Sequence, residues 1–271
     1  MKTRATIFSI AMIMLVSFSA CDQKKSGDKK VATLNSTKTD LKKTKDQVVN
    51  VINSLPTQQE TARLINETGA SYIAGLTSEQ LQTDQLLTRA QKSKSFGAVL
   101  FDLAYTDIYN QPESFSKLLK IQEDLTRDLG YEELLKIQKP YHERFQANKN
   151  IRDSVDAIVS EMMRTTNDYI QKNGSASDIS LIFASTLVKA LNITSTVTLF
   201  ARTNDKLVEL IWNQKEHVNA AFSILEMTSE DPEVAEMKDL MKPVNEVFMT
   251  SNQFTLDEVD KINQLTSRII G

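Results

Sequence analysis

ISLIFASTLVKALNITSTVTLFA, residues 179–201, is the stretch whose reading decides the fold. Lys189 is its one charge, and Ser, Thr and Asn recur among the apolar residues. A strand rarely exceeds about eight residues, so an apolar run of this length reads as a helix. A helix with no charged side is surrounded by other helices. Its small hydroxyl residues permit close helix approach, and its frequent polar groups argue against a membrane span of similar length. The β-branched run Ile193–Thr198 has mediocre helix propensity, which burial must override.

A second charge-poor stretch is FGAVLFDLAYTDIYN, residues 96–110. At helical spacing Phe96, Val99, Leu100, Leu103 and Ile108 line one side, and Phe101, Ala104 and Tyr105 line another. Only the stripe through Asp102, Thr106 and Tyr109 is polar. These two stretches are the expected central pair of an all-α domain.

Around them the 3.6-residue period continues. A helix is predicted from about Asp40 to Leu55, and Pro56 opens the next, with Thr57 and Glu60 spaced as a capping box and Gly69 as its stop. After a loop over 69–77, the helical pattern resumes from about Ser78 to Asn110. Pro112 starts a helix that stops at Gly130, and Pro140 is expected to limit a short segment after it. A helix over Ile151–Lys172 closes at Asn173-Gly174. Ser177 and Asp178 are expected to start the long run to Arg202, and Asn204 to cap the helix holding Trp212. Asp231-Pro232 opens the penultimate helix, where Pro243 is a possible kink, and Thr255 with Glu258 makes a second capping box. Nine or ten helices joined by short connections predict a single antiparallel bundle or array. The composition agrees: 41% apolar residues supply a core, while seven glycines and five prolines in 271 residues are too few for a turn-rich β fold.

The N-terminus predicts where the chain works. Lys2 and Arg4 precede a short apolar core, Ile7 to Phe18, and Phe18-Ser19-Ala20-Cys21 closes the segment. A dozen apolar residues are too few to span a bilayer, so residues 1–20 read as an export signal. Small residues before a cysteine resemble the lipobox of bacterial lipoproteins, which implies a lipidated Cys21 carrying acyl groups such as palmitate and a membrane-anchored N-terminus. Cys21 is the only cysteine, so it has no partner for an internal disulfide. Residues 22–39 hold five lysines and almost nothing apolar, the composition of a solvated tether. The domains expected are therefore 1–20 signal, 21–39 lipidated cysteine and tether, and 40–271 helical domain, held at the cell envelope and facing the periplasm or the cell surface. Loss of the signal takes two of 32 basic residues and none of 35 acidic ones, leaving a net charge of 30 minus 35, or −5. Nucleic acid is not an expected partner.

Catalytic motifs are missing. The chain has no glycine-rich phosphate loop, Cys-Xaa-Xaa-Cys, His-Glu-Xaa-Xaa-His or Gly-Xaa-Ser-Xaa-Gly. His142, in Lys-Pro-Tyr-His-Glu-Arg, and His217 are its only histidines and read as surface residues rather than as a metal site. No catalytic residue, metal or cofactor is expected. Asp102, Tyr105 and Tyr109 could line a small polar pocket, though such residues more often hydrogen-bond neighbouring helices. Asp153-Ser154-Val155 resembles the O-glycosylation acceptor pattern of exported Bacteroidota proteins, with Ser154 as acceptor.

Ser54-Leu55-Pro56, Glu60-Thr61, Gly69-Ala70-Ser71-Tyr72, Gly97, Asp102-Leu103-Ala104-Tyr105 and Tyr109-Asn110-Gln111 together resemble a group of all-helical Bacteroidota lipoproteins. Members tend to carry Asn-Leu-Gly before the second of the central helices and a tyrosine two residues after that glycine. This chain has Ser95-Phe96-Gly97 and Val99 there. The resemblance implies an all-helical fold and an envelope location. The expected function is a membrane-anchored binding or structural module with an envelope protein as partner. The alternative is a helical receptor for a small molecule or a metal.

Overall fold

The computed structural model describes residues 42–201 and 205–270. A helical stretch over 42–52, α1, is followed by ten helices. These are α2 (Gln58–Glu67), α3 (Arg89–Ile108), α4 (Pro112–Asp128), α5 (Glu132–Asn148), α6 (Arg152–Asn173), α7 (Ala176–Ala201), α8 (Asp205–Trp212), α9 (Lys215–Met227), α10 (Pro232–Thr250) and α11 (Leu256–Ile270). No strand occurs among the described residues, and the protein is an all-α array. The signal, Cys21, the tether and the Asn204 cap lie outside the described residues.

α7 is the axis of the array. Ile179, Ile182, Ile193 and Val197 belong to an apolar cluster built with α2 to α6. Leu181, Ala184, Leu187, Val188 and Leu191 belong to another, built with α8 to α11. Because both sides of one helix face a core, no side is left for charge. Of its most apolar window, 89% is buried inside the protein. Several of its hydroxyls are satisfied locally, Thr186 donating to Ile182 O, Thr194 to Ala190 O and Thr198 to Thr194 O, whereas Ser185 Oγ is buried without a partner. Asn192 donates to Ser267 Oγ at 2.9 Å, and Asn263 donates to Thr196 Oγ1 at 2.7 Å, which sets α11 antiparallel along α7.

α3 packs closely on α7, as the sequence expects of the central pair, and Gly97 makes the approach possible. A Cβ at this position would stand 2.1 Å from the Ile182 carbonyl oxygen. Thr186 Oγ1 donates across the same contact to Gly97 O at 2.9 Å.

The capping box at Thr57–Glu60 forms, and at Thr255 the N–H donates to Glu258 Oε2 while Oγ1 accepts from Asp257 N–H. Gly69, at φ +81°, follows the end of α2 in the left-handed conformation a C′ residue needs. Four boundaries differ from expectation. The helix predicted from Ser78 starts only at Arg89, because Thr88 and Gln91 form a capping box there; residues 69–88 are irregular apart from a 3₁₀ turn at Thr83–Gln85. Pro140 does not limit α5, which continues to Asn148. A proline deprives the carbonyl four residues back of its donor. Here that residue, Lys136, is exposed, so water can satisfy it, while Leu134, Gln138 and Phe145 hold the other face. Pro243 is likewise inside α10, with Asp239 exposed. The cap of α7 is Ser175 rather than Ser177: Asp178 N–H donates to Ser175 Oγ at 3.0 Å. The segment holding Trp212 divides at Asn213-Gln214 into α8 and α9.

Candidate functional site

Asp102, Tyr105 and Tyr109 share the buried side of α3, where residues 70–78 cover them. Asp102 is fully buried and accepts from Ser78 N–H at 2.8 Å. Its other oxygen lies 3.5 Å from Lys189 Nζ, itself only 6% exposed. Lys189 also donates to Leu76 O at 2.7 Å. Burial pushes the Asp102 carboxyl above its ordinary range, and Lys189 and Ser78 pull against that shift without cancelling it. Tyr105 OH accepts from Ile73 N–H at 3.2 Å, and Tyr109 OH donates to Ala70 O at 2.9 Å. Tyr72 stacks on Tyr105 with ring centroids 5.1 Å apart, and Tyr105 and Tyr109 stand 4.8 Å apart. Burial raises the Tyr105 phenol and pushes Tyr109 up to about 12, so both stay protonated at neutral pH. The contacts of Tyr72 and of the backbone at Ala70, Ile73, Leu76 and Ser78 fasten the irregular segment after Gly69 to α3 and α7, and Asp102 with Lys189 joins the two helices beneath it. The segment's polar backbone is thereby satisfied without regular structure.

A second buried knot was not foreseen from sequence. Asp178 receives Arg89 Nε and Nη2 at 2.9 and 2.8 Å, Ser93 Oγ at 3.1 Å and Tyr131 OH at 3.1 Å. Arg89 Nη1 continues to Leu129 O at 2.9 Å. Burial raises the Asp178 carboxyl, but the Arg89 hydrogen bonds and the Ser175 and Ser93 donors outweigh it and hold the group below its ordinary range. The knot ties the starts of α3 and α7 to the α4–α5 turn. No sequence signal relates Arg89 to a residue 89 positions away.

No cluster of three or more potential metal ligands occurs among the described residues. His142 departs from the exposed setting expected of it: its side chain is 15% exposed, with Nδ1 2.5 Å from Glu123 Oε1. α5 turns it inward against α4. His217 is half-buried, with Nδ1 2.8 Å from Gln214 Oε1, and burial lowers its pKa against the pull of Glu216. Ser154 lies in the first turn of α6, partly buried, with its N–H donating to Ile151 O.

The groove able to receive a ligand lies elsewhere. It has a volume of about 380 Å³ and runs beneath the corner between α1 and α2, against α6 and α7. Leu100, Met163, Ile170, Ile179, Ile182 and Phe183 line its floor, and Ile52, Leu55 and Pro56 overhang it. The corner exists because Pro56 cannot continue α1 and Thr57 caps α2. Gln58 and Asn167 pair their amides across the rim, at 3.1 and 3.4 Å. Arg164 and Asp168, 3.8 Å apart, form an exposed ion pair beside them. A narrower space of about 40 Å³ shares Leu55, Pro56, Gln58, Phe183 and Thr186 with the groove and continues to Gln214 and His217. The sequence offered no pointer to this site, whose walls come from segments more than a hundred residues apart and read individually as core.

Comparison with known protein families, characterised proteins and solved structures finds no match for this chain.

Proposed function

We propose that this chain is a lipid-anchored protein of the bacterial envelope whose helical domain is a binding module, with the groove beneath the α1–α2 corner as its recognition site. The observation that carries the binding reading is a groove of about 380 Å³ with a hydrocarbon floor and an amide rim. That size falls within the ~300–1,000 Å³ of ligand sites, and an apolar lining with a few polar groups at the edge is their usual composition. The polar residues singled out from sequence, Asp102, Tyr105 and Tyr109, are engaged in holding residues 70–78, and a binding role does not call on them. Support for the anchor is the sequence Phe18-Ser19-Ala20-Cys21 and the lysine-rich residues after it, together with the resemblance of residues 54–111 to Bacteroidota lipoproteins. Residue 42 onward would then be the binding domain on its tether.

A photo-crosslinking residue placed at Ser160, an exposed position on the groove wall, tests the binding reading in native membranes; the same residue at Lys136 on α5 is the control. Adducts specific to Ser160 are expected. Equal labelling at the two positions, or none, removes the groove as a recognition site. In the same cells Cys21→Ser should leave unprocessed precursor or release the protein from the membrane fraction. Unchanged membrane retention and processing would overturn the anchor.

A further inference from the structure

Resting on that reading of the groove, we infer that its ligand is a free single-chain amphiphile: one hydrocarbon chain lies along the floor, and its polar end stays at the open rim. The buried floor of the groove presents hydrocarbon, and the polar side chains that also line it, Asn53, Gln59, Ser160 and Gln171 among them, are exposed or partly exposed. Thr186 Oγ1, the hydroxyl deepest in its wall, already donates to Gly97 O and Ile182 O. Gln58 and Asn167 satisfy each other. Among the described residues, buried polar atoms without a partner occur at Asp102, His142 and Ser185 and at five further side chains, and none of these eight residues lines the groove. A sugar or nucleotide seated on that floor would therefore bury its own donors and acceptors unpaired, which is unfavourable, whereas a hydrocarbon chain gains from leaving water.

Charge and shape narrow the class further. Arg164 and Asp168 cancel one another at the rim and remain mostly exposed, so nothing draws an ionic group inward. The narrow space that shares Leu55, Phe183 and Thr186 with the groove adjoins it toward Gln214 and His217, and that elongated outline suits a flexible chain better than a rigid ring system. At about 380 Å³ the main space stands near the lower end for ligand sites, room for one chain rather than the two of a diacyl lipid. A neutral amide rim suits a hydroxyl or ester head group that remains wet.

The test uses the chain from residue 21 onward with Cys21→Ser, so that no acyl group of its own competes. Titration with N-phenylnaphthylamine should give a saturable one-site rise in fluorescence, reversed by hexadecanol and by lysophosphatidylcholine and unaffected by maltose or ATP. Ser160→Trp, which fills the mouth from an exposed position, should weaken binding at least tenfold while circular dichroism and the urea midpoint stay at the parent values; Lys136→Trp should bind as the parent does. Absence of saturable binding, displacement by maltose but not hexadecanol, or equal binding by Ser160→Trp would each overturn the inference. So would binding seen only with phosphatidylcholine vesicles, because the chain would then belong to a bilayer lipid. Protein adducts at Ser160 in membranes without alkyl-chain binding would refute this ligand class and leave the binding-module reading standing.

Discussion

Gly97→Ala probes the contact on which the array depends. The new Cβ would lie 2.1 Å from Ile182 O, 2.9 Å from Ile182 C and 3.0 Å from Ile182 Cα, all backbone atoms that cannot rotate aside. Real Cβ contacts essentially never fall under 3.0 Å, so α7 must retreat by about 0.9 Å. A gap of ~0.5–1 Å forfeits about a quarter to a half of each dispersion contact, and overpacking of this kind costs roughly 1–3 kcal/mol. The Thr186 hydrogen bond to Gly97 O stretches at the same time, for about 1 kcal/mol more. Against these stands the better helix propensity of alanine, about 1 kcal/mol. The expected net loss is about 2 kcal/mol, or roughly 4–8 °C in Tm for a domain of this size. Urea unfolding should show the midpoint falling with an unchanged slope. Ala98→Gly, one residue along the same helix and only partly buried, calibrates the propensity effect and should cost about 1 kcal/mol. A Gly97→Ala protein as stable as the parent would refute the close approach of α3 and α7.

Asp102→Asn should cost about 3 kcal/mol, because it leaves the Lys189 ammonium buried without its counter-ion, and Asp102→Asn with Lys189→Met should cost clearly less than the two single changes added. Additive losses in that double-mutant cycle would dissolve the pair, and an Asp102→Asn protein more stable than the parent would mark the carboxylate as kept for a ligand. Asp107, 3% exposed and 3.3 Å from Arg152, is raised by burial to about 6, with Arg152 pulling it down and Asp156 adding to the rise. Since its folded value exceeds the unfolded one, its contribution is full below about pH 4 and is lost as pH rises through about 6, by about 3 kcal/mol at most. Stability measured from pH 4 to 7 should accordingly decline in the parent relative to Asp107→Asn; parallel curves would contradict the shift. Thr88→Ala should cost about 1 kcal/mol through loss of the α3 cap, whereas Ser78→Ala, whose backbone N–H makes the bond to Asp102, should cost less in urea unfolding.

The sequence by itself determined what depends on neighbours along the chain. Its helical period, the capping boxes at Thr57 and Thr255, the stop at Gly69 and the charge-poor runs at 96–110 and 179–201 specify an all-α protein with α3 and α7 at its centre. These signals are local, set by spacings of three or four residues. Tertiary structure decided the rest. Pro140 reads as a break, yet α5 continues through it, with Lys136, whose carbonyl loses its donor, at an exposed position. Asp102 stood out in a polar stripe of one buried helix and Lys189 as the lone charge of another, but only the packing of α3 on α7 brings them within 3.5 Å. The same holds for Arg89 and Asp178, and for the groove, where Leu100 and Ile182 read as ordinary core residues. An apolar side chain carries the same periodic signal whether it fills a core or lines a cavity, so a void between helices leaves no trace along the chain and becomes visible only when the helices are placed.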